Sequence, residues 1–342
     1  MPGSKNNNKH MKRIVLFIFL FIFQNNLKAQ DAERLHSMGK NYLIDGDFSN
    51  AESMLSRAYT LDSTNISIIK DLALCYYFEK DFTRALSIIK PSLDNEIADD
   101  QCYQIAGNIY KGLNQMKECE DLFLIAIKRF SKNGALYNEL GELLFSQNNT
   151  QCIEYWEKGI EYDPDYSKNY YNACKYYATK NENLWCIIYG EIFVNMEPMN
   201  TKTPQIKDIM IDAYKKLFAT LINEGAGKEK NEFVQKVTTN LSKQNNLASQ
   251  GINASILNMI RTRFILDWYN DKTEKYPYKL FEYHQQLLRD GMFEAYNQWL
   301  YGSSENLIAF QNWTQLHNQD YTSFIKYMKS NQFKMPKGQY YH

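Results

Sequence analysis

Residues Asp71 to Leu93 read DLALCYYFEKDFTRALSIIKPSL, and their spacing decides the fold. Small Ala73 is followed three residues on by Tyr76. A polar stretch, Glu79-Lys80-Asp81, then leads to Ala85, Ile89 and Ser92. On both sides of that stretch the apolar positions recur every three or four residues, the period of a helix face. The segment therefore reads as two helices joined by a tight turn. The pattern recurs along the chain. Small residues stand at Gly39, Ala73, Gly107, Gly141 and Cys174, spaced 34, 34, 34 and 33. Three residues after each come Tyr42, Tyr76, Tyr110, Leu144 and Tyr177. A second small series is Ala51, Ala85, Cys119, Cys152 and Cys186, followed four later by Leu55, Ile89, Phe123 and Trp156. A third runs Ala58, Ser92, Ala126 and Gly159, and Pro164 and Pro198 follow second helices 34 residues apart. Antiparallel helices approach closely only where side chains are small, and larger neighbours fill the gaps beside them.

This pattern resembles the tetratricopeptide repeat over residues 32–198, in five copies. The resemblance implies an all-α fold, a right-handed superhelical solenoid whose first helices line a concave groove. It implies a non-enzymatic scaffold or adaptor for protein or peptide partners. Residues flanking the small series at helical spacing are then expected to face the groove: Lys40, Lys70, Tyr77, Asn108, Lys111, Asn138, Tyr171 and Lys175, with His36 and Gln104. Four lysines and no acid in that set predict an acidic or carboxylate-ended peptide, although Glu33 and Glu142 lie near and dilute the charge. The Lys and Asn clamp by which some members of this family hold a carboxylate is not reproduced residue by residue. The fifth copy departs from the pattern, with Gly190 where a large residue is expected and Phe193 where a small one is.

The ends of the chain read differently. From Met11 come Lys12 and Arg13, then ten apolar residues, Ile14 to Phe23, then a polar exit to Ala29. This is the order of a secretory signal peptide. Ten residues rise only about 15 Å as a helix, half of the ~30 Å hydrocarbon core, so no stable membrane insertion is expected after cleavage. Export to the periplasm or cell envelope follows as the expectation. Removing residues 1–29 takes away five basic residues and no acid, leaving a formal charge of −5. The resulting division is 1–29 signal, 30–198 repeats, 199–224 a helix capping the solenoid, and 225–342 a smaller, aromatic-rich helical domain. Further helices are expected near 231–242, 252–270, 277–290, 292–301, 304–317 and 320–330, with a tight turn at Gly291. Tyr278 to Gly302 looks like segments of exported repeat proteins of Bacteroidetes, a likeness that carries no function. Met335 to His342 show no periodicity and are expected to fray.

Composition narrows the function classes. Lys+Arg 39 against Asp+Glu 39 leaves no basic excess to hold nucleic acid. Seven Pro and 15 Gly in 342 residues are too few turn formers for a sandwich of short strands. Four of six cysteines fall on the small series, where Cys acts as a slightly larger Ala, and no spacing suits zinc. Export would permit one disulfide, for which Cys174 and Cys186, on facing helices of one repeat, are the best pair. No paired histidines, nucleophile elbow, zinc-protease motif or dinucleotide fingerprint is present, so no catalytic residue, metal or cofactor is expected. Gly225-Ala226-Gly227-Lys228 lacks the rest of a phosphate loop. His284, with Glu282 and Arg289 on a predicted helix, reads as a partly exposed structural histidine. The aromatics of the last third, Trp268, Trp299, Trp313, Tyr283, Tyr296 and Tyr301, read as core. An enzymatic or sugar-binding role for residues 225–342 is the alternative.

Overall fold

A computed structural model describes residues 28–227, 230–270 and 275–342. The signal-peptide segment through residue 27 lies outside the described residues. All regular structure described is helical. Contacts divide the chain into two compact units, Met1–Phe130 and Ser131–His342.

The first unit holds three helical hairpins. Helix α1 spans 28–44 and pairs with α2 (Phe48–Leu61); α3 (Ile66–Phe78) pairs with α4 (Phe82–Asp94), and α5 (Asp100–Gly112) with α6 (Met116–Arg129). Their close approach is set by the small series. A Cβ on Gly39 would come within 2.6 Å of the Leu55 side chain, and one on Gly107 within 2.2 Å of Phe123. Caps recur with the same period. Asp47 and Asp81 cap second helices, and Asn65 and Asp99 cap first helices, by side-chain bonds to free backbone N–H groups.

The second unit opens with two more hairpins, α7 (Gly134–Ser146) with α8 (Cys152–Tyr162) and α9 (Ser167–Lys180) with α10 (Asn183–Met196). Here a Cβ on Gly141 would meet Trp156 at 2.4 Å. One turn position in each of the five hairpins takes a positive φ: Gly46, Lys80, Asn114, Asn148 and Asn181. Glycine and asparagine tolerate that left-handed conformation; Lys80 adopts it at φ 63° without their advantage.

Helix α11 (Thr203–Glu224), with Pro204 in its first turn, packs on α10. Then follow α12 (Glu232–Ser242), α13 (Asn245–Ala248), α14 (Ala254–Asn270), α15 (Lys279–Arg289) and α16 (Phe293–Asn297). The last runs through a π-turn, Gln298–Gly302, into α17 (Ser303–Glu305). Helices α18 (Leu307–Leu316) and α19 (Asn318–Ser330) complete the set. Gly291 makes the α15–α16 turn at φ 69°. The irregular fifth copy has a physical cause. Helix α10 is buried on every side from Asn183 to Asn195, so it needs no apolar stripe. Gly190 admits Met210 and Cys174, which a Cβ would meet at 2.9 and 3.0 Å.

The tail does not fray. Tyr341 stacks on Phe233 at 4.9 Å, and its carbonyl accepts a 2.6 Å bond from Asn231 Nδ2. Side-chain docking of so short a segment has no periodicity for a sequence to display.

Candidate functional site

In the first unit, four of the expected groove residues lie in mixed surroundings. Lys40 is exposed and Asn108 is half-buried. Tyr77 leans on Phe78 and Phe82, with centroids 5.6 and 5.5 Å away. Lys111 Nζ stands 5.5 Å above the Phe123 ring. Lys70 is not a free cation. Its Nζ donates to Asp99 Oδ2 at 2.6 Å and to Gln101 Oε1 at 2.7 Å, and its side chain is 15% exposed. Burial pushes the Asp99 carboxyl upward, but the bonds from Lys70 and from the Cys102 backbone hold it below its ordinary range. His36 Nε2 likewise sits 2.8 Å from Asp71 Oδ2. The expectation of an acid-free lysine run is therefore corrected. Residues about one repeat apart stack on this face, so a carboxylate 29 or 35 positions on meets each of these basic side chains. That offset was legible in the repeat itself.

In the second unit, Asn138 is fully buried and cannot receive a peptide backbone, as its place on the groove face would require. Asn172, missed in the sequence, covers it: Asn172 Nδ2 donates to Asn138 Oδ1 at 2.8 Å and to Glu142 Oε1 at 3.1 Å. Tyr171 is buried and its hydroxyl donates to Gln205 Oε1 at 3.1 Å. Lys175 and Lys202 flank it, their Nζ atoms 5.0 and 4.5 Å from the ring centre. Among the described residues neither lysine has a carboxylate partner. These are cation–π contacts, and Lys202 is a member of the cluster that the sequence reading did not include.

The perturbed groups of this unit lie deeper. His284 is buried, not partly exposed. Its Nε2 stands 2.8 Å from Glu191 Oε1 and donates to it as the Nε2–H tautomer. The Tyr296 hydroxyl donates to the same oxygen at 2.6 Å, and Arg261 bonds both Glu191 and Asn297. Burial raises the Glu191 carboxyl, but Arg261 and His284 outweigh it and hold it at about 2. Burial pushes His284 below the ordinary imidazole range, with Glu191 opposing the shift. Beside this cluster lies a cavity of about 30 Å³, room for one or two waters. A centre so enclosed ties α10 to α14, α15 and α16. Burial likewise pushes Lys207 down to about 7, while its Nζ donates to the Trp299 carbonyl at 2.7 Å. Trp268, Trp299, Tyr283, Tyr296 and Tyr301 are buried in the core and offer no stacking platform to a sugar.

Cys174 and Cys186 are brought together as buried thiols, Sγ to Sγ 3.8 Å, unbridged. Among the described residues no group of three His, Cys, Asp or Glu is placed to hold a metal. Among them, too, no helix is long and apolar enough to cross a membrane.

The family-model match falls within the repeats. Residues 45–125 match the family model described as anaphase-promoting complex, cyclosome, subunit 3. Among solved structures, PilF of Pseudomonas aeruginosa is 15% identical, covering 60% of this chain and 97% of that one, TM-score 0.47. MamA is 20% identical over 44% of this chain and 90% of that one, TM-score 0.39. YrrB, described as a TPR protein with an unusual peptide-binding site, is 16% identical over 55% and 97%, TM-score 0.39. At these scores nothing said of those proteins extends to this one. No curated protein matches the chain. The small series, the recurring caps and the recurring left-handed turn make the five hairpins tetratricopeptide-type repeats.

Proposed function

We propose that this is an exported interaction protein that holds an extended, acidic segment of a partner protein against the first helices of its repeats. The observation that carries the reading is the Tyr171 cluster. Lys175 and Lys202 are kept in place by one ring and, among the described residues, have no carboxylate of their own, so their charge is available to a ligand. In the first unit Lys70 is already neutralised by Asp99, which moves the anion-binding role from Lys70 to the Lys175–Lys202 pair. The double change Lys175→Glu with Lys202→Glu tests this: capture of the partner from the cell envelope should fail while the melting temperature stays nearly unchanged. Capture surviving both this change and salt raised to about 0.5 M, where the Debye length falls well below 10 Å, places the binding surface elsewhere. Export rests on the segment from Lys12 to Ala29. The exported protein should begin near Gln30, read by intact mass, and retention of Ile14 to Phe23 would make it an anchored protein instead.

A further inference from the structure

Glu157 sits on α8 at a position that the earlier repeats leave open. Its counterparts Ser56 and Leu124 are half-buried and Lys90 is exposed, whereas Glu157 is buried. What covers it is the segment 339–342 of the same chain. His342 Nδ1 lies 3.0 Å from Glu157 Oε2, and His342 Nε2 lies 2.9 Å from the Tyr177 hydroxyl, which itself donates to Glu157. The His342 ring packs 4.9 Å from Trp185. One residue earlier, Tyr341 stacks on Phe233 and donates from its hydroxyl to the Pro277 carbonyl at 2.8 Å. Gln339 accepts from the backbone N–H of Lys279. The plug hangs from Pro336, Lys337 and Gly338, all exposed; Gly338 has φ 81° and open space around it. A buried carboxylate is costly unless paired and hydrogen-bonded. Without the plug, Tyr177 is the one hydrogen-bond partner that Glu157 keeps among the described residues.

We infer that Glu157, Tyr177, Trp185 and Phe233 form a second peptide site, separate from the Tyr171 cluster. Its ligand is a short segment carrying an aromatic ring followed by an imidazole or other cation, and residues 339–342 fill it in cis. The aromatic takes the Phe233 face, and the cationic or N–H-donating group neutralises Glu157. A partner segment of the same chemistry binds by displacing the plug, which uncovers this flank of α8, α9 and α10. A tether this short gives the plug an effective concentration in the millimolar range, so a free peptide competes poorly with the closed chain.

The test uses the full chain, a variant ending at Gly338, and a fluorescent peptide of sequence Lys337–His342, read by anisotropy. The shortened chain should bind the peptide saturably, and the full chain at least tenfold more weakly. Glu157→Gln in the shortened chain, or alanine for histidine in the peptide, should each weaken binding at least tenfold. A folded shortened chain that ignores the peptide, or equal binding by both chains, overturns the inference. If the shortened chain does not fold, full-length His342→Ala decides. Added peptide must raise its melting temperature and leave that of the unaltered chain unmoved; no response in the variant overturns the inference as well. Lys175→Glu with Lys202→Glu placed in the shortened chain should leave its peptide binding unchanged, which separates this result from the fate of the groove.

Discussion

Gly141→Ala should destabilise the second unit, although alanine is the better helix former. The exchange gains about 1 kcal/mol of helix propensity. Against that, the new Cβ would lie 2.4 Å from Trp156 Nε1 and 2.6 Å from its Cδ1, far inside contact distance. The indole cannot step aside, because it is 2% exposed and wedged near Phe145 and Tyr176, with centroids 5.8 and 6.3 Å away. Overpacking of this kind costs about 1–3 kcal/mol. Set against the propensity gain, the net loss should reach about 2 kcal/mol, a fall of up to roughly 8 °C in melting temperature for a unit of this size. Trp156→Ala alone should cost about 3–5 kcal/mol through its cavity. In that background Gly141→Ala has nothing to strike, so its sign should reverse and it should stabilise by up to about 1 kcal/mol. Urea denaturation of the four proteins reads the cycle directly. Equal effects of Gly141→Ala in both backgrounds would mean that the two residues do not touch, and the repeat register would be refuted.

Acid should weaken the second unit through Glu191 and His284 together. Both have folded-state pKa values below their ordinary 4.5 and 6.5, so each contributes stability that is present above its unfolded value and lost as pH falls. The melting temperature should decline from about pH 6.5 as His284 refuses the proton its unfolded form accepts. It should decline further between 4.5 and about 2 as Glu191 is neutralised. Glu191→Gln, which leaves Arg261 without its counter-charge, should cost about 3–5 kcal/mol at neutral pH and remove the lower part of that decline; an unchanged profile would contradict the network. The six thiols are buried, and burial pushes Cys75 and Cys102 up to about 11. Native protein should therefore resist alkylation for as long as it stays folded, with at most Cys174 and Cys186 oxidised; rapid labelling of Cys119 or Cys152 would contradict their packing role. Lys80→Gly relieves a left-handed residue and should stabilise the first unit by up to about 1 kcal/mol, whereas a loss in thermal melts would mean that the turn is not left-handed.

The repeats were legible because their geometry forces residue types at fixed spacing. Wherever two helices touch, as at Gly107 against Phe123, a small residue must face a large one. The turns were legible for the same reason, with asparagine or glycine at four of the five positions of positive φ. The ionic centre was not. Glu191 reads as one more solvated acid until Arg261, His284 and Tyr296 arrive from 70, 93 and 105 residues away. No periodicity connects those positions. The charge of the expected groove face was misread. Lys40, Lys70, Lys111 and Lys175 were picked by their own helix register, while Asp99, the N-cap of the next repeat's first helix, claims Lys70. Lys202, set just before α11 outside the repeat pattern, supplies the second cation over Tyr171.

We place a partner segment against the first helices of the second unit at Tyr171, Lys175 and Lys202. Amide hydrogen exchange of the mature chain, with and without its captured partner, is the decisive measurement. New protection is expected along Ser167–Lys180 and the first turns of Thr203–Glu224, absent from the Lys175→Glu/Lys202→Glu chain. Protection confined to Leu307–Leu316 and Asn318–Ser330, with those first helices unchanged, would contradict it.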